Sequence, residues 1–164
     1  MVFTTNHDEN SWNGTVFERL GKLSEPFSVF ISTVTGMPLV YSGQEAGMNK
    51  RLEFFEKDLI EWKYDTQRTI FSKIFEEKKD NKALWNGAKG GDMNFLDVSD
   101  NENVIAYFRE KDDDRVVVII NLSKDDSKIF INEETIWGQY KDLFENEMTL
   151  VDDNYDNCQY NHNS

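Results

Sequence analysis

The hydrophobic period of this chain changes once, near residue 88, and that change restricts what it can fold into. Before it, apolar residues come either in short β-branched runs or at helical spacing. Met1 to Thr5 is a short apolar stretch suited to a buried strand. Thr15-Val16-Phe17-Glu18 has a hydroxyl at a cap position and a carboxylate three residues on, the pattern of a capping box, and predicts a short helix to Gly21. Ser24-Glu25-Pro26 offers a second cap with Pro in the first turn. Phe27, Phe30, Ile31 and Val34 follow at i, i+3, i+4 and i+7 as one helix face, which Gly36 ends.

Pro38 to Tyr41 predicts a second buried strand, with Pro at its first position. Ser42 to Gly47 is a glycine-rich turn, and Leu52 to Trp62 mixes Phe and charge without a clean period, as a long structured loop does. Ile70, Phe71, Ile74 and Phe75 then define a helix from Thr66 to about Asn81. The first half therefore predicts strand, helix, strand, helix.

The second half predicts short antiparallel strands: Val104 to Phe108 and Val116 to Asn121 around the acidic turn Lys111 to Asp114, then Lys128 to Ile131, Gln139 to Leu143 and Glu147 to Leu150. Charge divides the same way. Residues 1–87 hold 11 basic and 13 acidic side chains, whereas residues 88–164 hold 7 and 18. The expected organisation is an α/β unit over 1–87, an antiparallel β domain over 88–150, and an acidic, disordered tail over 151–164.

A formal net charge of −13 opposes nucleic-acid binding, because phosphates are neutralised by Lys and Arg. The single Cys158 excludes an intrachain disulfide and multi-Cys metal sites. No run reaches the ~18 apolar residues of a membrane span, and no basic-then-apolar leader opens the sequence. The sequence calls for no cofactor. Asp112-Asp113-Asp114 and Asp97 to Glu102 lack the spacing of an EF-hand loop and suit solvated turns. His162, like Cys158, falls in the expected tail.

Two strand-to-loop transitions carry side chains suited to chemistry. Asn6-His7-Asp8 directly follows the first apolar stretch, where α/β enzymes place reactive groups. Asp8 can stabilise positive charge or accept from a pair of hydroxyls, and His7 can donate to one; equally, Asn and Asp favour turns. In the second transition, Gly36-Met37-Pro38-Leu39-Val40-Tyr41-Ser42-Gly43-Gln44-Glu45, the carboxylate of Glu45 suits the backbone N–H groups of its own turn better than catalysis.

Together these segments, Phe-x-x-Asn-His-Asp and then Gly-Met-Pro-Leu-Val-Tyr-Ser-Gly-Gln-Glu, closely resemble the end of the catalytic barrel in the α-amylase family of glycoside hydrolases. The resemblance covers residues 1–150. It implies the seventh and eighth strands of a (β/α)8 TIM barrel, followed by an all-β antiparallel sandwich. By the same resemblance Asp8 is the family's third catalytic carboxylate, which stabilises an oxocarbenium-like transition state. His7, with Asn6, contacts the same sugar. Trp12 is a sugar-facing aromatic that the motif itself does not specify, and Tyr41 suits core packing. The implied substrate is an α-glucan or malto-oligosaccharide.

The nucleophile and general acid of a retaining glycosidase stand about 5–5.5 Å apart across the scissile bond. In this family they lie on the fourth and fifth strands, which have no counterpart here. The isolated chain is therefore expected to be inactive, and open barrel edges invite self-association. Two other readings remain: a carbohydrate-binding module using Trp85, Tyr107 or Trp137, and a non-catalytic scaffold.

Overall fold

The computed structural model describes residues 1–131 and 133–151; the expected tail, with Cys158 and His162, lies outside the described residues from residue 152 onward. The chain forms two compact units, Met1–Asp80 and a second that begins at Asn81.

In the first unit the capping box forms as expected. Thr15 Oγ1 accepts from Glu18 N at 3.1 Å and Glu18 Oε2 accepts from Thr15 N at 2.7 Å, opening helix α1 (Val16–Leu20). A 3-10 turn, Gly21–Leu23, runs straight into helix α2 (Ser24–Thr33). Ser24 is therefore already helical. Leu23 holds the N-cap position without a side-chain hydrogen bond, contrary to the expected serine cap.

Helix α3 spans Thr66–Asp80 and buries Gln67, Phe71 and Ile74. It packs against α2 through an unexpected face. Ser24, Ser28 and Ser32, one turn apart, are buried on α2 beside Ile31 and Thr33, and Ser28 Oγ donates to Gln67 Oε1 at 2.7 Å. Ile31 and Val34 are buried as predicted, but Phe27 and Phe30 stay half-buried, ring edge to ring face at 6.0 Å.

The two expected strands, Met1 to Thr5 and Pro38 to Tyr41, contract to one parallel bridge between Val2 and Pro38. Val2 N donates to Met37 O and Leu39 N to Val2 O, each at 2.9 Å. The ladder stops there because side chains claim the next backbone groups. Arg19 donates to Thr4 O at 2.7 Å, and Tyr41 N donates to Gln44 Oε1 at 3.3 Å. Pro38 has no N–H to extend the pairing.

The second unit holds a three-stranded antiparallel sheet in the order β1-β2-β3 (Asp92–Phe95, Val104–Lys111, Asp114–Asn121) and a two-stranded sheet, β4-β5 (Gly138–Lys141, Met148–Val151). The β2-β3 hairpin closes at Lys111↔Asp114, with Asp112 at φ 54° in the turn. Strand β1 was not anticipated, since Asp92-Met93-Asn94-Phe95 has one half-buried side chain and three exposed ones. Conversely, the strand expected at Lys128 to Ile131 is a single Val98↔Ile131 bridge.

The core of this unit gathers Leu96, Val98, Val104, Ala106, Ile129, Ile136 and Val151. Arg109 is buried beside the sheet, donating to Trp85 O at 2.9 Å and Gly91 O at 3.0 Å, and desolvation lowers its pKa from the ordinary value. The fold is thus α/β with antiparallel sheets. Ile136 is fully enclosed, so Ile136→Ala is expected to cost about 2–5 kcal/mol of stability, read from the urea midpoint at constant slope.

Candidate active site

The site begins where the Val2–Pro38 bridge ends. Asn6 turns the chain: its Oδ1 accepts from Glu9 N at 2.8 Å and its carbonyl from Asn10 N at 2.9 Å. Its carboxamide therefore serves as the local cap that the composition of the tripeptide also allowed. A π-type turn follows over Glu9–Asn13.

This turn presents His7 and Asp8 outward. His7 Nε2 and Asp8 Oδ2 stand 3.5 Å apart, with side chains 66% and 59% exposed. Such an open pair contributes little to stability. Trp12 is 57% exposed on the same turn.

The second motif serves architecture. Glu45 Oε2 accepts from Gly43 N at 3.0 Å, as its turn required. Gln44 is buried and donates from Nε2 to Thr4 Oγ1 at 2.9 Å, tying the second motif to the first. Tyr41 is half-buried, and desolvation raises its phenol pKa.

The residues that connect the first motif to the 49–59 loop were not legible beforehand. Asn10 is 2% exposed and uses both ends of its carboxamide: Nδ2 donates to Lys50 O at 3.1 Å, and Oδ1 accepts from Leu52 N at 2.8 Å. Ser11 Oγ donates to Leu52 O at 2.7 Å. Thr15 Oγ1 reaches Asn49 Oδ1 at 2.6 Å, and Arg51 Nε reaches Glu18 Oε2 at 2.9 Å. Lys50 pairs with Asp58, whose other oxygen accepts from Glu53 N at 3.1 Å.

This anchoring sets Phe54 and Phe55 beside the motif. Ring centroids stand 5.7 Å apart for His7 and Phe54, 5.2 Å for Trp12 and Phe54, and 4.8 Å for Phe54 and Phe55. The nearest sequence signal was the Asn10-Ser11 pair, polar side chains able to bond backbone at a distance. Elsewhere in this unit, an open cavity of about 270 Å³ is lined by Glu45, Ala46, Trp62, Lys63, Tyr64 and Arg68.

Other expected groups belong to the second unit. Tyr107 is fully buried and so presents no ring to a glucan, contrary to the binding-module reading; Trp137 is 38% exposed. Asp97 Oδ1 accepts from Asn101 Nδ2 at 2.7 Å, and Asp100 Oδ1 from Asn103 N at 3.2 Å, as turn-closing contacts. Among the described residues, no group of three or more His, Cys, Asp or Glu is placed to hold a metal ion.

No protein-family model matches the chain. It is 24% identical over 157 residues to α-amylase 2 of Dictyoglomus thermophilum, covering 88% of this chain and 25% of that protein. It is 26% identical over 150 residues to α-amylase MalA of Haloarcula japonica (86% and 21%), and 26% identical over 145 residues to a maltogenic α-amylase of Bacillus acidopullulyticus (81% and 24%). Among solved structures it is similar in fold to a maltogenic α-amylase from Thermotoga neapolitana. That match has a TM-score of 0.73 at 22% identity and covers 90% of this chain and 35% of that one. These likenesses relate the chain to the α-amylase family. It spans about a quarter of the length of the curated relatives it matches.

Two outcomes follow from the anchored loop. Asn10→Ala leaves Leu52 N–H without its acceptor, a loss of about 1–3 kcal/mol. Hydrogen exchange at that amide is expected to accelerate by at least roughly tenfold. The carboxyls of Glu18 and Asp58 are held below the usual carboxylate range, first by their hydrogen bonds to Arg51 and Lys50. A lowered carboxyl supports the fold fully above its unfolded pKa and loses that support as pH falls through the folded value. The contribution of these two carboxyls, read as the urea-midpoint difference between the native chain and Glu18→Gln or Asp58→Asn, is therefore expected to hold from pH 7 to about 5 and to fall only in stronger acid.

Proposed function

We propose that this chain is part of an α-amylase-like retaining glycoside hydrolase that cleaves α-glucosidic bonds in starch or malto-oligosaccharides. In this reading residues 1–87 form the last two βα units of a (β/α)8 barrel, and residues 88–150 form its antiparallel β sandwich. The observation that carries it is the exposed His7–Asp8 pair on a turn braced by Asn6, at the end of a parallel bridge. Two further features are in keeping with a piece of barrel: the half-buried phenylalanines of α2, and a parallel pairing only one bridge wide.

Asp8 then accepts hydrogen bonds from sugar hydroxyls. Its charge favours the oxocarbenium-like transition state, in which positive charge develops on the sugar ring. His7 donates to a hydroxyl of the same ring, and Trp12 lies along the sugar. The nucleophile and general acid belong to the barrel strands of the remainder of the enzyme. Open edges at Val2 and Pro38 are where the isolated chain would associate with itself.

The purified 164-residue chain is expected to release no reducing ends from malto-oligosaccharides. In the enzyme that includes the remaining barrel strands, Asp8→Asn is expected to lower kcat by about 10²–10³-fold or more with the fold intact by circular dichroism. Hydrolysis by the short chain that disappears in Asp8→Ala would instead mean that it assembles a complete site of its own.

A further inference from the structure

Phe54 and Phe55 have no part in the motif, yet the 49–59 loop brings their rings into the His7–Trp12 cluster beside Asp8. We infer that Trp12, Phe54 and Phe55 form a stacking platform for the pyranose rings of an α-glucan, running from Asp8 along the loop. This inference rests on the glycosidase reading above and adds residues that neither the motif nor the comparisons point to.

Phe55 is 83% exposed and Trp12 57%, although the backbone around them is held by Asn10, Ser11 and Arg51. Large apolar rings are thus held open on a fixed loop, which is a prepared surface rather than a loose one. The three rings form a triangle: Phe54 is tilted 39° to Trp12 and nearly edge-on to Phe55 at 73°, and Trp12 and Phe55, the two more exposed outer rings, meet edge to face at 6.4 Å. The outer rings keep free area that a sugar's C–H face can cover.

The polar surroundings select a neutral polyol. Two of the loop's three cations, Lys50 and Arg51, are paired with Asp58 and Glu18, and the third, Lys57, is offset by Glu53 and Glu56, so the loop carries no net positive charge to attract an anion. At the end of the platform His7 and Asp8 offer a donor and an acceptor, matched to the hydroxyl rim of a sugar whose flat face lies on the rings. Orientation then comes from the hydrogen bonds and affinity from the aromatic area.

The test is a titration of the full 164-residue chain with maltoheptaose, followed through the Trp12 indole N–H resonance and assigned with Trp12→Phe. Maltoheptaose is expected to shift that resonance. Phe55→Ala, which removes an exposed ring, is expected to raise Kd about tenfold or more, and Phe55→Trp to restore it. Phe95→Ala, at an exposed ring of the second unit, should leave Kd unchanged.

A Trp12 resonance that maltoheptaose does not move, or a Kd indifferent to Phe55→Ala, overturns the platform. Binding lost in Asp8→Asn but kept in Phe55→Ala removes the platform and leaves the glycosidase reading standing. A platform that binds, in a complete enzyme that tolerates Asp8→Asn, has the opposite meaning. Should Phe55→Ala abolish self-association in sedimentation velocity while maltoheptaose shifts nothing, the rings are a contact between copies and the inference fails.

Discussion

The first unit depends on the buried carboxamide of Asn10. One side chain closes hydrogen bonds to Lys50 O and Leu52 N, some forty residues away, and so joins the turn after the first motif to the loop after the second. Both ends of a carboxamide only 2% exposed are thereby satisfied. The exposed groups on either side, His7 and Asp8 on one segment and Phe54 and Phe55 on the other, hold their relative positions because this bond pair does. The ion pairs at Arg51 and Lys50 reinforce the join from its solvent side, where each alone would contribute little.

The helices obey a different constraint. Helix α2 meets α3 at the buried Ser28, whose hydroxyl donates to Gln67 in the contact. A polar contact of this kind fixes the two helices side by side without consuming the phenylalanine face, which stays half-buried. That face and the one-bridge pairing at Val2 and Pro38 set the first unit apart from the second. In the second, the apolar cluster around Ile136 is closed by both sheets and by partly buried Phe108, Val117 and Tyr140.

Much of this architecture was legible in the residues, for identifiable reasons. The Thr15–Glu18 box, the helix from Thr66 and the Lys111 to Asp114 hairpin are local, since each is decided by contacts within a few positions. Glu45 was correctly assigned to its own turn for the same reason. The misplaced Ser24 cap and the loss of Tyr41 N–H to Gln44 are local, whereas the other departures involve contacts between segments. The strands at Met1 to Thr5 and Pro38 to Tyr41 shrank because Arg19 and Gln44 compete for their backbone groups, and strand β1 exists only because β2 lies beside it. The outward placement of Phe54 and Phe55 was equally hidden, because nothing near them in sequence announces that Asn10 holds their loop. The motif made Asp8 and His7 conspicuous, while their surroundings needed three dimensions.

The buried Arg109 has a consequence for how this protein tolerates change. Its guanidinium takes the carbonyls of Trp85 and Gly91, drawing that segment so close that a Cβ at Gly90 would fall on Trp85 O and one at Gly91 on the backbone of Glu110. Both positions are closed to every side chain. In a survey of permitted substitutions, the two glycines would stand out as sharply as any reactive residue while having no part in chemistry. Invariance there would report the thickness of a strand edge, and a search for active sites by intolerance alone would be led to a packing position.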